Sequence, residues 1–383
     1  MIDLKKYGIE MWPEEKIQAF RLALLHWYDQ EKRDLPWREN TDPYRIWVSE
    51  IMLQQTRVDT VIPYFHRFLK TFPTIQDLAA AEEEILLKTW EGLGYYSRVR
   101  NMQTAAQTLV EEYQGRFPET IEEIRKLKGI GPYTAGAIAS IAFNLPEPAV
   151  DGNVMRVLAR LFEVNLDIGN PTNRKVFQAM MEVLIDPQRP GDFNQALMDL
   201  GSDIEAPVNP RPEESPVKEF SAAYLHGTTD KYPIKAPKKK PVPIYLKAFI
   251  LQNQEGKFLL EKNDHSKLLA GFWHFPLLEV EEEPEVDLFH PILEVSEAVD
   301  ARTRLEADYP FTIEWEEYQF PQVKHVFSHR KWHIDIQLGQ VKGTPELPDG
   351  SLWLSAEEFS SYPLARPQQK IWEMFLSQKT DGF

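Results

Sequence analysis

Between Pro13 and about Arg33 the apolar residues Ile17, Phe20, Leu24 and Tyr28 recur at the three-and-four spacing that lines one face of an α-helix. Pro13 sits at the first turn, where its missing amide costs nothing. Asp42-Pro43 opens a second helix, predicted to run to about Arg57. Thr120 followed three residues later by Glu123 is a capping-box pattern ahead of Ile124 and Leu127. Helical periodicity continues to Leu200 with little strand character, so the first half reads as all-helical. The second half changes period. The runs "IYLKAFILQ" (244–252), "KFLLEK" (257–262), "WHIDIQL" (332–338) and "SLWLS" (351–355) are short, aromatic and β-branched, and Gly, Asn and Asp turns separate them. A terminal helix is predicted near Gln368 to Leu376, which makes this half α+β.

Residues 231–240, between the halves, carry five lysines, two prolines and no acid. They read as a solvated linker, with a basic strap over a polyanion as the sharper alternative. At 383 residues the chain is long for one core, and two domains are expected. The absence of cysteine rules out disulfides, thiolate zinc sites, thiol nucleophiles and cysteine-ligated iron-sulfur clusters. No opening segment reads as a secretion signal and no apolar run has bilayer length, so the chain is expected to be cytoplasmic. The net charge of −16 argues, taken alone, against a polyanionic partner.

Three stretches qualify that last inference. In "LKGIGPYTAGAIAS" (127–140), Gly129 and Gly131 bracket Ile130 between a helix ending near Leu127 and another starting at Pro132. Such a turn, with the helix N-terminus after it, offers backbone amides to a phosphate and needs little net charge; the plainer reading is a tight turn. Ala135, Gly136, Ala137 and Ala139 are small enough to let the second helix pack closely on the first. In "SEIMLQQT" (49–56), Glu50 shares a helix face with Ile46, Trp47 and Leu53. A carboxyl there is expected to have a raised pKa, which suits a general acid; the alternative is a glutamate paired with an arginine. In "AVDGNVMRVLARLF" (149–162), Asp151 and Asn153 stand where a helix begins and could simply cap it. Amides and dipole would hold Asp151 ionised, the opposite environment to that of Glu50. One protonated and one charged carboxyl are what cleavage at an anomeric carbon requires.

Together these motifs make the chain resemble the adenine DNA glycosylases of the MutY type, in the endonuclease III helix-hairpin-helix superfamily. The resemblance spans most of the chain. It rests on "LPWR" (35–38), "DPYRIWVSEIMLQQTRVDTVIPYF" (42–65), "WEGLGYYSRVRN" (90–101), "LKGIGPYTAGAI" (127–138), "AVDGNVMRVLARLF" (149–162) and "FNQALMDLG" (193–201). It implies a multi-domain fold: an all-α glycosylase domain (1–225, hairpin near 120–142), a basic linker (226–243) and an α+β, Nudix-like domain (244–383). The implied activity is removal of adenine mispaired with 8-oxoguanine or guanine, the base being flipped out of double-stranded DNA and its N-glycosidic bond hydrolysed. Glu50 would protonate adenine at N7, Asp151 would stabilise the sugar cation, and Asn153 and Tyr133 would support them. Tyr133 stands where bifunctional relatives carry the Schiff-base lysine, so a monofunctional enzyme leaving an abasic site is expected. Leu53, Gln55 and Tyr95 would enter the duplex, Gly129 and Gly131 would meet the DNA backbone, and Arg38 and Gln195 would line the adenine pocket.

The runs "LLAGFWHFP" (268–276) and "VKHVFSHRKWHIDI" (323–336) resemble the family's Nudix-like domain, in which Phe327, Ser328 and His329 match the loop that contacts 8-oxoguanine. Residues 277–305 lack the glutamate-rich hydrolase signature, which argues against a nucleotide pyrophosphatase. The family's four cluster cysteines correspond here to Glu205, Pro212, Ser215 and Ser221. None replaces a thiolate, so no iron-sulfur cluster, metal or other cofactor is expected. The loop 202–225 is expected to be held instead by Pro210, Pro212, Pro216 and the packing of Phe220 and Tyr224. A monomer, associated with the nucleoid through DNA as in bacteria, is expected. The competing readings are an endonuclease III-like pyrimidine glycosylase and lyase, and a non-catalytic binder of damaged DNA.

Overall fold

The computed structural model describes residues 2–237, 240–264, 268–281, 301–309, 311–343 and 345–382. The chain divides into two compact units, Met1–Ala81 with Ser97–Pro237, and Glu82–Tyr96 with Lys238–Phe383. This division differs from the expected 1–225, 226–243 and 244–383, because residues 82–96 belong with the second unit. There Lys88 Nζ donates to Tyr362 O at 2.9 Å, Glu91 Oε1 accepts from the Leu364 amide at 3.0 Å, and Tyr96 packs on Phe272. Two residues of the lysine-rich strip, 238 and 239, lie outside the described residues.

The first unit is helical: α1 (Glu14–Glu31), α2 (Pro43–Leu53), α3 (Val58–Thr71) and α4 (Ile75–Ala79) precede α5 (Glu83–Trp90), which belongs to the second unit. Then follow α6 (Ser97–Tyr113), α7 (Ile121–Ile124), α8 (Pro132–Phe143), α9 (Gly152–Leu161), α10 (Arg174–Leu184), α11 (Pro190–Asp203) and α12 (Ala222–Leu225). Ile17, Phe20, Leu24 and Tyr28 on α1 meet Leu158 of α9, Phe177 of α10, and Phe193 and Leu197 of α11 in one buried core. Each such side chain contributes roughly 1.5–3 kcal/mol on leaving water.

Two local expectations are corrected and a third is extended. α2 stops at Leu53 rather than near Arg57, because Gln54 and Gln55 leave helical geometry and the Arg98 side chain takes up the terminal carbonyls. At Thr120 the side chain donates to the Glu123 carboxylate (2.9 Å) instead of capping a backbone amide; the reciprocal box forms at Thr74 and Asp77. A Cβ added at Gly136 would lie 2.0 Å from Pro148 O, so this position of α8 also admits the chain leading into α9, beside the packing of α8 against α7.

The second unit holds a sheet with the path β3-β2-β1-β7-β5. Its strands are β1 (Val242–Asn253), β2 (Phe258–Lys262), β3 (Trp273–His274), β4 (Leu277–Val280), β5 (Ile313–Glu316), β6 (Val323–Val326), β7 (Arg330–Val341) and β8 (Ser351–Leu354). β1 and β7 run parallel in register from Val242↔Arg330 to Asn253↔Val341; the other pairs are antiparallel. Side chains alternate across the sheet. Leu246, Ala248 and Ile250 face a core closed by Ile371 and Phe375 of α14 (Arg366–Gly382), while Phe249 and Leu251 face Ala301 and Leu305 of α13 (Ala301–Asp308). Most of the acidic stretch 277–305 lies outside the described residues.

Candidate active site

A cleft of about 1190 Å³ opens in the first unit and brings together ten of the residues singled out in the sequence: Arg38, Glu50, Leu53, Gln55, Gly129, Gly131, Tyr133, Asp151, Asn153 and Gln195. Glu50 projects from the last turn but one of α2 and is 6% exposed. Its partner is not an arginine. The Tyr133 hydroxyl, from the first turn of α8, donates to Glu50 Oε2 at 2.5 Å, and its oxygen also lies 3.7 Å from Met198 Sδ. Loss of water pushes the Glu50 carboxyl up to about 7, opposed by the Tyr133 bond and the Arg38 charge and assisted by Asp151. Burial raises the Tyr133 phenol well above its ordinary range, so it stays a donor.

Asp151 is the N-cap of α9. Its Oδ1 accepts from the Val154 amide at 2.7 Å and its Oδ2 from Asn153 Nδ2 at 2.8 Å. The sequence placed this carboxyl in an environment opposite to that of Glu50, and here the structure differs. Its pKa is raised too, because desolvation outweighs the amides of Val154 and Asn153 and the Arg156 charge that pull it down. The two carboxyls are distinguished by their partners: a single phenol on Glu50, and N–H donors on both oxygens of Asp151. Asn153 is itself held, since Arg156 Nη2 donates to its Oδ1 at 2.7 Å. That guanidinium also bonds the carbonyls of Glu205 (2.7 Å, through Nε) and Gly201.

Arg38 is not free at the cleft wall. Its guanidinium forks onto Asp199, Nη1 to Oδ2 at 2.7 Å and Nη2 to Oδ1 at 3.0 Å, and Arg33 bonds the same carboxylate. Asp199, 4% exposed at its side chain, was missed in the sequence. It stands one helical turn after Gln195 on α11, a spacing that would have found it. Gly129 and Gly131 lie exposed in the turn before α8. Gly129 has φ +78° and a Cβ there would sit 2.7 Å from Asn101 Cβ, so glycine is required; Gly131 caps α8 without a side chain, leaving first-turn amides without an intrahelical partner. Gln55 is exposed at φ +59° and Leu53 half-buried.

The remaining predicted residues lie in the second unit. Phe327, Ser328 and His329 form the β6–β7 turn, closed by the Phe327 amide donating to Arg330 O at 2.8 Å. Phe327 is anchored edge-on against His325 and Trp332, which leaves Ser328 and His329 exposed. The Ser328 and Tyr95 hydroxyls are hydrogen-bonded to each other, and Tyr95 is 45% exposed at φ +47°.

The loop after α11 buries three of the four positions expected from the sequence to correspond to cluster cysteines: Glu205, Ser215 and Ser221. Glu205 Oε2 accepts from Arg160 Nη1 at 2.7 Å with both side chains 5% exposed, Ser221 donates to Arg160 O at 3.3 Å, and Ser215 Oγ has no partner among the described residues. Phe220 packs on Trp12 and Phe20 as expected, whereas no ring contact of Tyr224 accompanies it among the described residues and Pro212 only starts a single 3-10 turn. Among the described residues no group of three or more His, Asp or Glu could hold a metal, and no helix is long and apolar enough to cross a membrane.

The family model of the HhH-GPD superfamily base excision DNA repair proteins matches residues 48–185, and a NUDIX domain model matches 247–374. The chain is 36% identical to the adenine DNA glycosylase of Rattus norvegicus over 417 residues, covering 94% of this chain and 78% of that one. It is 32% identical to the adenine DNA glycosylase of Buchnera aphidicola subsp. Acyrthosiphon pisum, over 93% of this chain and 97% of the other. Among solved structures, a thermostable thymine-DNA glycosylase aligns with a TM-score of 0.51 and 28% identity, over 55% of this chain and 98% of that one.

Proposed function

Since the chain belongs to the adenine DNA glycosylases of the MutY type, hydrolases of N-glycosyl bonds that act in base excision repair, we propose that it takes adenine opposite 8-oxoguanine or guanine in double-stranded DNA. The observation that carries the chemistry is a carboxyl, Glu50, buried in the cleft, pushed up to about 7 and hydrogen-bonded by the Tyr133 phenol, beside an Asp151 fixed by two N–H donors. Glu50 then delivers its proton to N7 of an extruded adenine. The bond between N9 and the sugar carbon breaks with its electrons leaving on the base, Asp151 stabilises the resulting cation as an ion pair or through a transient covalent bond, and water completes the hydrolysis. Tyr133 orients Glu50, Asn153 orients Asp151, and Arg38 with Gln195 lines the base pocket.

The product on this reading is an intact strand with an abasic site. No lysine is found among the described residues lining the cleft, so none is available for a Schiff base with the sugar. Leu53, Gln55 and Tyr95 enter the duplex, the turn at Gly129 and Gly131 meets its backbone, and Ser328, carried on the anchored turn with Phe327 and His329, reads N7–H or O8 of 8-oxoguanine. The loop 202–225 works without an iron-sulfur cluster, its Glu205–Arg160 pair supplying the internal anchor. Incubation with an 8-oxoguanine:adenine duplex tests the whole: strand breakage at adenine appearing only after alkali is expected. Breakage without alkali would establish a lyase, and intact adenine with wild type and Glu50→Gln alike would defeat the assignment of Glu50.

A further inference from the structure

We propose that Arg98 is a positioning residue for adenine extrusion: its guanidinium fixes the end of α2 and thereby the shape of the Leu53–Gln55 segment that enters the DNA. The last carbonyls of any helix lack an intrahelical amide. At the end of α2 one nitrogen of Arg98, Nη1, lies 2.6 Å from Ile51 O, 2.7 Å from Gln54 O and 3.3 Å from Met52 O. A cation here also meets the negative end of the helix dipole.

The chain it holds is not at rest in an ordinary conformation. Gln54 swings to ψ 110° and Gln55 follows at φ +59°, a left-handed conformation that is unfavourable for a residue with a side chain. The Thr56 amide, returning to Leu53 O at 3.2 Å, and the Thr56 hydroxyl, donating to Gln54 O at 3.4 Å, close the turn from within. Arg98, 44 residues further along the chain on α6, is the long-range contact that binds the carbonyls on both sides of Leu53. Leu53 and Gln55 line the cleft and Glu50 lies one turn earlier on the same helix, so the segment is set against a fixed acid. Arg98 holds the backbone carbonyls of this segment, so the action proposed for it is on the opening of the duplex and not on the acid.

This inference rests on the reading of Leu53 and Gln55 as residues that enter DNA, and its test separates the two. Arg98→Lys keeps the charge but replaces the planar fork by a point donor. Single-turnover excision is measured on one preparation, with active sites titrated, against adenine opposite 8-oxoguanine in a paired duplex and against the same adenine in a pre-opened bubble. The variant is expected to lose about tenfold on the duplex and less than about twofold on the bubble, where the base is already unstacked. Its pH midpoint should stay at the wild-type value. Equal losses on both substrates, no loss on either, or a moved midpoint would overturn the proposal. Because the two rates come from one preparation, a misfolded fraction cancels in their ratio. Leu53→Ala is the reference: if it too shows no difference between substrates, the segment does not enter DNA and both readings fall. If it shows the difference and Arg98→Lys does not, the role of Arg98 alone is refuted.

Discussion

Glu50 and Glu205 are both buried glutamates of the same helical unit, 6% and 4% exposed, yet they have been given opposite partners. Glu205 meets a guanidinium, Arg160, at 2.7 Å in a pocket where both charges are hidden, and it serves to hold a loop. Glu50 meets a phenol at 2.5 Å, while Arg38 spends its hydrogen bonds on Asp199, and burial outweighs the Tyr133 bond and the Arg38 charge to push its pKa up to about 7. On the role proposed for Glu50, burial alone does not make a general acid. What decides is whether the buried carboxyl is supplied with a positive charge.

The comparison is broken most severely by removing each carboxyl's function in turn. Glu50→Gln keeps shape and the bond from Tyr133 but has no proton to give; single-turnover excision should fall by about 10²–10⁴-fold, the usual worth of a positioned acid, and a loss under tenfold would count against it. Arg160→Met leaves Glu205 buried without its cation and should destabilise the unit by about 3–5 kcal/mol in urea unfolding, whereas Arg160→Met with Glu205→Leu should recover most of that loss.

A smaller effect runs in the opposite direction. Folded Glu50 keeps its proton up to about pH 7 while an unfolded glutamate releases it near 4.5, so across that window the folded state binds more protons and stability falls as pH rises. Glu50→Gln should therefore be more stable than wild type at pH 8, by on the order of 1–3 kcal/mol, and the gain should vanish near pH 4. Unfolding midpoints at the two pH values measure it; a gain that persists at pH 4 would point to packing instead. The smallest effect concerns Tyr133. Excision should decline as pH rises through about 7, and since the phenol's bond favours the ionised carboxyl, Tyr133→Phe should move that decline to higher pH. A move to lower pH would mean that Tyr133 stabilises the protonated acid.

The same contrast explains what could be read from the chain. Glu50 on an apolar face and Asp151 before a helix were visible because helical spacing and capping are local rules, and both side chains line the cleft. The direction of the Asp151 shift was not visible, since it depends on how much water the surrounding helices remove. The end of α2 was placed four residues too late, at about Arg57 instead of Leu53: no Gly or Pro stops the helix, and the stop comes from Arg98. In the second unit the long strands β1 and β7 and the short β2 and β8 were legible from their composition. β3, with two residues, and the parallel pairing of β1 with β7 were not, because both are set by partners distant in sequence.

Arg156 reaches from Asn153 to the last turn of α11 and the loop after it by bonding the carbonyl oxygens of Gly201 and Glu205. Every residue type presents a carbonyl, so this link is indifferent to which side chains the loop carries, provided its backbone path is kept. The tie itself therefore leaves the side chain at each carbonyl open, thiols included, and what limits exchange lies elsewhere: a Cβ at Gly201 would sit 2.8 Å from Asn153 Cβ, and the Glu205 side chain is committed to Arg160.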